Sequence, residues 1–142
     1  MKQAEARARE LNIKLKRPFL SATDVPVCEE DPLRNLYISA DGEVSPCVFL
    51  YPPLPSPFKR IFCGREYWVE KVTFGNVFVE SFSRIWNSQD CKNFRNCFVK
   101  RKEKLGELYF SPWDSSEIRD SRSTFLPEPP EPCKTCHKML GV

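Results

Sequence analysis

The pair Cys133-Lys-Thr-Cys136 places two thiols across one turn, where both sulfurs can point the same way toward a single metal centre. A tetrathiolate site needs two more, and Cys28 and Cys47 are the candidates, because one precedes and the other ends the clearest local signal in the chain. Seven cysteines is an odd number, and no apolar run of about 7–15 residues follows Met1 as an export signal would require. Thiols or metal ligands therefore fit better than a disulfide framework, and the expected location is cytoplasmic. No run of about 18 apolar residues suggests a membrane partner. The net charge of +3, from 22 basic and 19 acidic residues, gives no argument for a nucleic-acid partner. The basic cluster from Lys2 to Arg17 is interrupted by Glu5 and Glu10 and reads as a solvated helix face.

The local signal is the run Asn35 to Cys47, in which Asp41-Gly42 marks a tight turn between two antiparallel strands. A two-residue loop would pair Ala40 with Glu43, Ile38 with Ser45 and Leu36 with Cys47, placing Cys47 beside Leu36 and Ile38. Before it, Ala4, Ala8 and Leu11 predict a helix from about Lys2 to Leu11 closed by Asn12, and Ile13 to Lys16 predict a short strand ended by Pro18. After it, Pro52, Pro53, Pro55 and Pro57 predict a rigid excursion without regular structure. Val69 to Phe74 reads as a strand, and Gly75-Asn76 as a turn into a short helix bearing Phe82, Ile85 and Trp86. Ser88 is positioned to cap a second helix, whose stripe of Cys91, Phe94, Cys97 and Phe98 assigns those cysteines to the core and which should end before Gly106. Cys63 takes no assignment. Ser111 to Leu126 reads as a surface connection with Trp113 or Phe125 as anchors, and Pro127 to Pro132 hold the chain extended into Cys133. The expected class is α+β: a small β-hairpin or antiparallel sheet with covering helices and long Pro-rich loops.

The order Cys28, thirteen residues, Gly42, four residues, Cys47 resembles the opening motif of the SPASM and twitch domains that follow the barrel of radical S-adenosylmethionine (radical SAM) enzymes. Phe74-Gly75-Asn76-Val77 and Ile85-Trp86-Asn87-Ser88 are similar to that family in order and in type. The resemblance implies an auxiliary [4Fe-4S] cluster on Cys28, Cys47, Cys133 and Cys136, in the shorter single-cluster arrangement, that serves electron transfer or substrate positioning. It further implies that residues 1–20 are a remnant of a preceding barrel and residues 21–142 the auxiliary domain. The Cys-x3-Cys-x2-Cys motif of the catalytic core does not occur. The expectation is thus a non-catalytic fragment of an oxidoreductase or maturase. Its partner is the radical SAM barrel, S-adenosylmethionine enters only through that missing core, and the substrate is a peptide, a protein or a small molecule.

Spacing alone leaves other chemistry open. Four thiolates also bind Zn2+ as a structural knot. Cys133-Lys-Thr-Cys136-His137 also fits the c-type haem attachment pattern, although Met139 lies too near His137 to reach the opposite haem face. A small interaction domain with incidental cysteines is the plainest alternative. Whichever group binds, 85 residues separate Cys47 from Cys133, and closing such a loop costs about 4 kcal/mol plus a constant. The tail after Pro127 is accordingly expected to depend on the bound group for its order.

Overall fold

The computed structural model describes residues 2–15, 22–110 and 126–141. Helix α1 (Lys2–Glu10) closes where the sequence places its end: Asn12 turns left-handed at φ 51°, its N–H donates to Arg9 O, and the Ile13 N–H donates to Ala8 O. The strand expected from Ile13 does not form over Ile13 to Leu15, where Ile13 and Leu15 stay exposed; two apolar positions hold a strand only against a partner, and no described strand pairs there. Lys16 to Pro18, the rest of that expectation, lie outside the described residues.

Strands β1 (Tyr37–Ile38) and β2 (Glu43–Ser45) form the expected hairpin, but Tyr37 pairs with Ser45 and Ile38 with Val44, one residue off the expected register. The reason lies in the turn. Of its residues only Gly42 has positive φ, at 86°, and its N–H donates to Ser39 O, so the loop takes three residues and ends in a left-handed glycine rather than using Asp41-Gly42 as a two-residue turn. Cys47 therefore does not sit across from Leu36. Strand β5 (Gly75–Asn76) completes this sheet beside β2, and the Asn76 side chain ties it down by donating to Asp41 O and to Glu43 Oε1, each at 2.9 Å.

A second hairpin went unread in the sequence. Strands β3 (Phe58–Phe62) and β4 (Arg65–Val69) pair along their length around Cys63-Gly64, where φ is 50° at Cys63 and 74° at Gly64. Two positive φ angles in a two-residue loop make the turn whose twist matches the strands. The strand expected at Val69 to Phe74 thus ends where it was thought to begin. Residues 70–74 instead lace the chain across the molecule, with the Val72 N–H on Leu50 O at 3.0 Å and the Phe74 N–H on Val44 O at 2.8 Å.

Helix α2 (Phe82–Trp86) begins at Ser81, whose Oγ accepts the Arg84 N–H, and buries Ile85. Helix α3 (Gln89–Phe110) begins at Ser88, whose Oγ accepts the Cys91 N–H, and runs through Gly106 instead of ending before it. One glycine costs about 1 kcal/mol against alanine, which a helix of this length absorbs. Most of its stripe faces inward as read, with Cys91 and Phe98 fully buried and Phe94 between Phe74 and Phe98 at ring-centroid distances of 5.7 and 5.6 Å, but Cys97, expected in the core, stays half-buried at its margin. The class is α+β, as expected. Trp113 and Phe125 lie outside the described residues.

Candidate functional site

Three distant segments meet in one core: the loop at Cys28, the turn at Cys47, and the short 3-10 turns Glu131–Cys133 and His137–Leu140 that flank Cys136. Cys28, Cys133 and Cys136 are buried there with Leu50, Phe58, Val69, Phe98 and Met139, and Cys47 packs half-buried against them. The thiols are near enough to act on one another electrostatically: Cys28 feels Cys136, Cys47 feels Cys28 and Cys136, and Cys133 feels the other three. Burial pushes the Cys47 thiol up to about 11, and it raises Cys28 and Cys133 as well. Two backbone N–H groups oppose the shift at each of two sulfurs, from Glu30 and Asp31 at Cys28 and from Phe49 and Leu50 at Cys47.

The remaining cysteines lie elsewhere. Cys63 is exposed at the tip of the second hairpin. Cys91 is buried on α3 and accepts a 3.5 Å hydrogen bond from Arg95, while the Cys97 thiol donates back to Asn93 O. His137 is exposed, with its ring edge-on to Phe49 at 5.3 Å; partial burial, then Lys138 and Arg60, lower its pKa.

Two arginines missed in the sequence hold these segments together. Arg60 of β3 donates to Pro132 O and to Phe49 O, each at 2.8 Å, so one guanidinium spans the Cys47 and Cys133 turns and sets its charge beside the Cys133 thiol. Arg101 of α3 is 1% exposed and donates to Val25 O, Pro26 O, Pro127 O and Asp24 Oδ1. It thereby fastens the approach to Cys28 to the approach to Cys133. The tail also pairs with the chain before Cys28, Thr23 N–H on Leu140 O and Val25 N–H on Met139 O. These anchors come from the protein itself and add to whatever a bound group contributes. The signal that could have exposed Arg60 is the alternation Phe58, Arg60, Phe62 around Cys63-Gly64; a lone basic residue on a helix, such as Arg101, gives none.

Among the described residues no group of three or more His, Cys, Asp or Glu is drawn tightly enough to hold one metal ion. A cubane takes one thiolate at each of four irons, so its ligands need not converge on a point. The donor set fits an iron–sulfur cluster: four soft sulfurs in an apolar core, two of them already facing N–H donors.

The family model of the SPASM iron–sulfur cluster-binding domain matches residues 28–109. The chain belongs to the SPASM family. That match includes Cys28 and Cys47 and stops before Cys133 and Cys136, which this SPASM domain brings into the same core. Over 82 residues the chain is 34% identical to the tungsten-containing aldehyde ferredoxin oxidoreductase cofactor-modifying protein of Pyrococcus furiosus. The aligned stretch is 57% of this chain and 22% of that protein, so the chain spans about a fifth of its relative's length. No solved structure matches. Among the described residues no helix is long and apolar enough to cross a membrane.

Proposed function

We propose that this SPASM domain carries one auxiliary [4Fe-4S] cluster on Cys28, Cys47, Cys133 and Cys136 and serves a radical SAM barrel in electron transfer or substrate positioning. The observation that carries the reading is the meeting of these four thiols, drawn from three distant segments, in one apolar core, while Cys63, Cys91 and Cys97 stand apart from it. Such a cluster, when bound, would supply one-electron redox chemistry. The protein's part is to exclude water with Leu50, Phe58, Phe98 and Met139, to point the Glu30, Asp31, Phe49 and Leu50 N–H groups at two of the sulfurs, and to place the Arg60 charge beside a third. The barrel and S-adenosylmethionine belong to the same reading, as do residues 1–20 as the end of the barrel, residues 21–142 as the auxiliary domain and a cytoplasmic location. The family and the relative's cofactor-modifying role support it.

Anaerobic reconstitution tests the reading. The chain should take up about four iron and four sulfide. Serine at Cys28, Cys47, Cys133 or Cys136 should lower that content, and serine at Cys63, Cys91 or Cys97 should leave it unchanged. A Cys91→Ser/Cys97→Ser variant that folds and loses all iron would refute the ligand set. Stoichiometric zinc, with no sulfide after anaerobic work, would replace the cluster by a structural ion.

A further inference from the structure

The β3–β4 hairpin ends in a two-residue turn between Phe62 and Arg65, so these two form a hydrogen-bonded pair and the ladder alternates from there. On β4, Arg65, Tyr67 and Val69 spend their main-chain groups on β3, and Glu66 and Trp68 direct theirs away from it. The hairpin forms its own two-stranded sheet, and among the described residues neither Glu66 nor Trp68 has a main-chain partner outside it. A cleft of about 340 Å3 lies against this strand. Tyr67, Trp68, Val69 and Glu70 all line it. Successive residues of a strand face opposite sides, so a cleft touched by Tyr67, Trp68 and Val69 in turn, and by Glu70 just past the strand's end, runs along the strand's edge rather than over one face. Its far wall is Glu131, Pro132 and Thr135, in the turn that holds Cys133 and Cys136.

We propose that this edge is a docking site for an extended peptide, which adds as a third strand beside β4 and is thereby laid along the Cys133–Cys136 turn. The proposal rests on the reading of this domain as an auxiliary module and adds to it the place where a peptide segment docks. Two properties of the cleft select that occupant. Alternate free donors and acceptors along Glu66 and Trp68 are satisfied together only by another extended backbone, and side chains at every second position can then reach the exposed Trp68 ring. The lining also carries the carboxylates of Glu70 and Glu131 and no basic side chain, so the docked segment should bear lysine or arginine. Among the described residues Ser56 Oγ donates to Glu70 at 2.6 Å, and one lysine, Lys134, is shared by Glu131 at 2.7 Å and Glu128, so the rim keeps a net negative charge.

The test uses the full chain and a fluorescein-labelled Lys-Val-Thr-Val-Lys peptide, read by fluorescence anisotropy, with iron content measured on the same sample. Binding should be saturable. It should weaken at least tenfold when alternate peptide amides are N-methylated, because that removes the strand's donors without altering the protein. It should weaken about threefold in Glu131→Gln and with added salt. Equal binding of the N-methylated peptide would overturn the proposal, as would no binding at all. Concentration-dependent dimers whose formation excludes the peptide would assign the edge to a second copy of the chain instead. A sample that binds peptide but holds no iron refutes the cluster and keeps the docking edge; one that holds iron and ignores the peptide does the reverse.

Discussion

Replacing Arg101 by methionine keeps the helix propensity and most of the volume of α3 while removing four hydrogen-bonding partnerships at once. The Arg101 side chain is 1% exposed and its ionic partner Asp24 20%, so the carboxylate left behind is largely dry. Breaking a buried pair by removing one member costs about 3–5 kcal/mol. Against a total of about 5–15 kcal/mol for an ordinary domain, that is about a fifth of the stability or more. With a urea slope of about 2 kcal/mol per molar, the unfolding midpoint followed by far-ultraviolet circular dichroism should fall by about 2 M. The loss should also depend on pH. Burial raises the Asp24 pKa above its ordinary 3.8 even with Arg101 present, and the arginine's charge and hydrogen bond hold it down. Without them it rises further, the folded variant holds a proton that the unfolded chain has released, and its stability falls as pH climbs through that window. The penalty is therefore larger at about pH 8 than at about pH 5. A loss below about 1 kcal/mol, or one equal at both pH values, would show that Arg101 does not bind the two approaches together.

An Arg60→Gln chain should assemble a cluster of lower midpoint potential, because a positive charge beside Cys133 favours the reduced state; an unchanged potential in a redox titration followed by electron paramagnetic resonance would dismiss that electrostatic role. Gly42→Ala should lose about 1–3 kcal/mol in thermal unfolding, since φ is 86° and the new Cβ would meet Asn76 Oδ1 and Phe78 Cδ2, each at 2.6 Å; a neutral result would mean that the turn relaxes freely. In the metal-free chain iodoacetamide should label exposed Cys63 long before Cys47, whose thiol near 11 is ionised to about one part in a thousand at pH 8. The same shift makes the metal-free fold lose stability as pH rises from about 9 to about 11, and mass spectrometry of the labelled chain together with a pH series of melts checks both.

What could be read beforehand followed from residues whose chemistry is local. Ser88 caps a helix, Asn12 closes one, and Asp41-Gly42 turns the chain, because each acts on its own backbone neighbours. The register across that turn escaped because a two-residue and a three-residue loop fit the same residues, differing in whether Ala40 pairs and Asp41 turns left-handed, and the Asn76 side chain that holds the observed turn, through Asp41 O, comes from 35 residues away. The second hairpin escaped because its turn is Cys63-Gly64, with cysteine at a left-handed position usually held by asparagine, aspartate or glycine. Cys28, Cys47, Cys133 and Cys136 were singled out by pattern and then found together in the core, whereas Arg60 and Arg101 act on partners 11 to 77 residues away, which no local pattern identifies.

On the proposed ligand set, the wide separation of the four cysteines along the chain also orders events during synthesis. Cys28 and Cys47 emerge first, and Cys136 follows Cys28 by 108 residues, the difference of their positions. At about 5–20 residues per second that interval lasts roughly 5–20 s. Through all of it the first pair of sulfurs stands without the second, open to stray metal and to oxidation. A complete site can form only after translation has passed Cys136, and the cell must deliver iron and sulfide to a chain already long enough to fold.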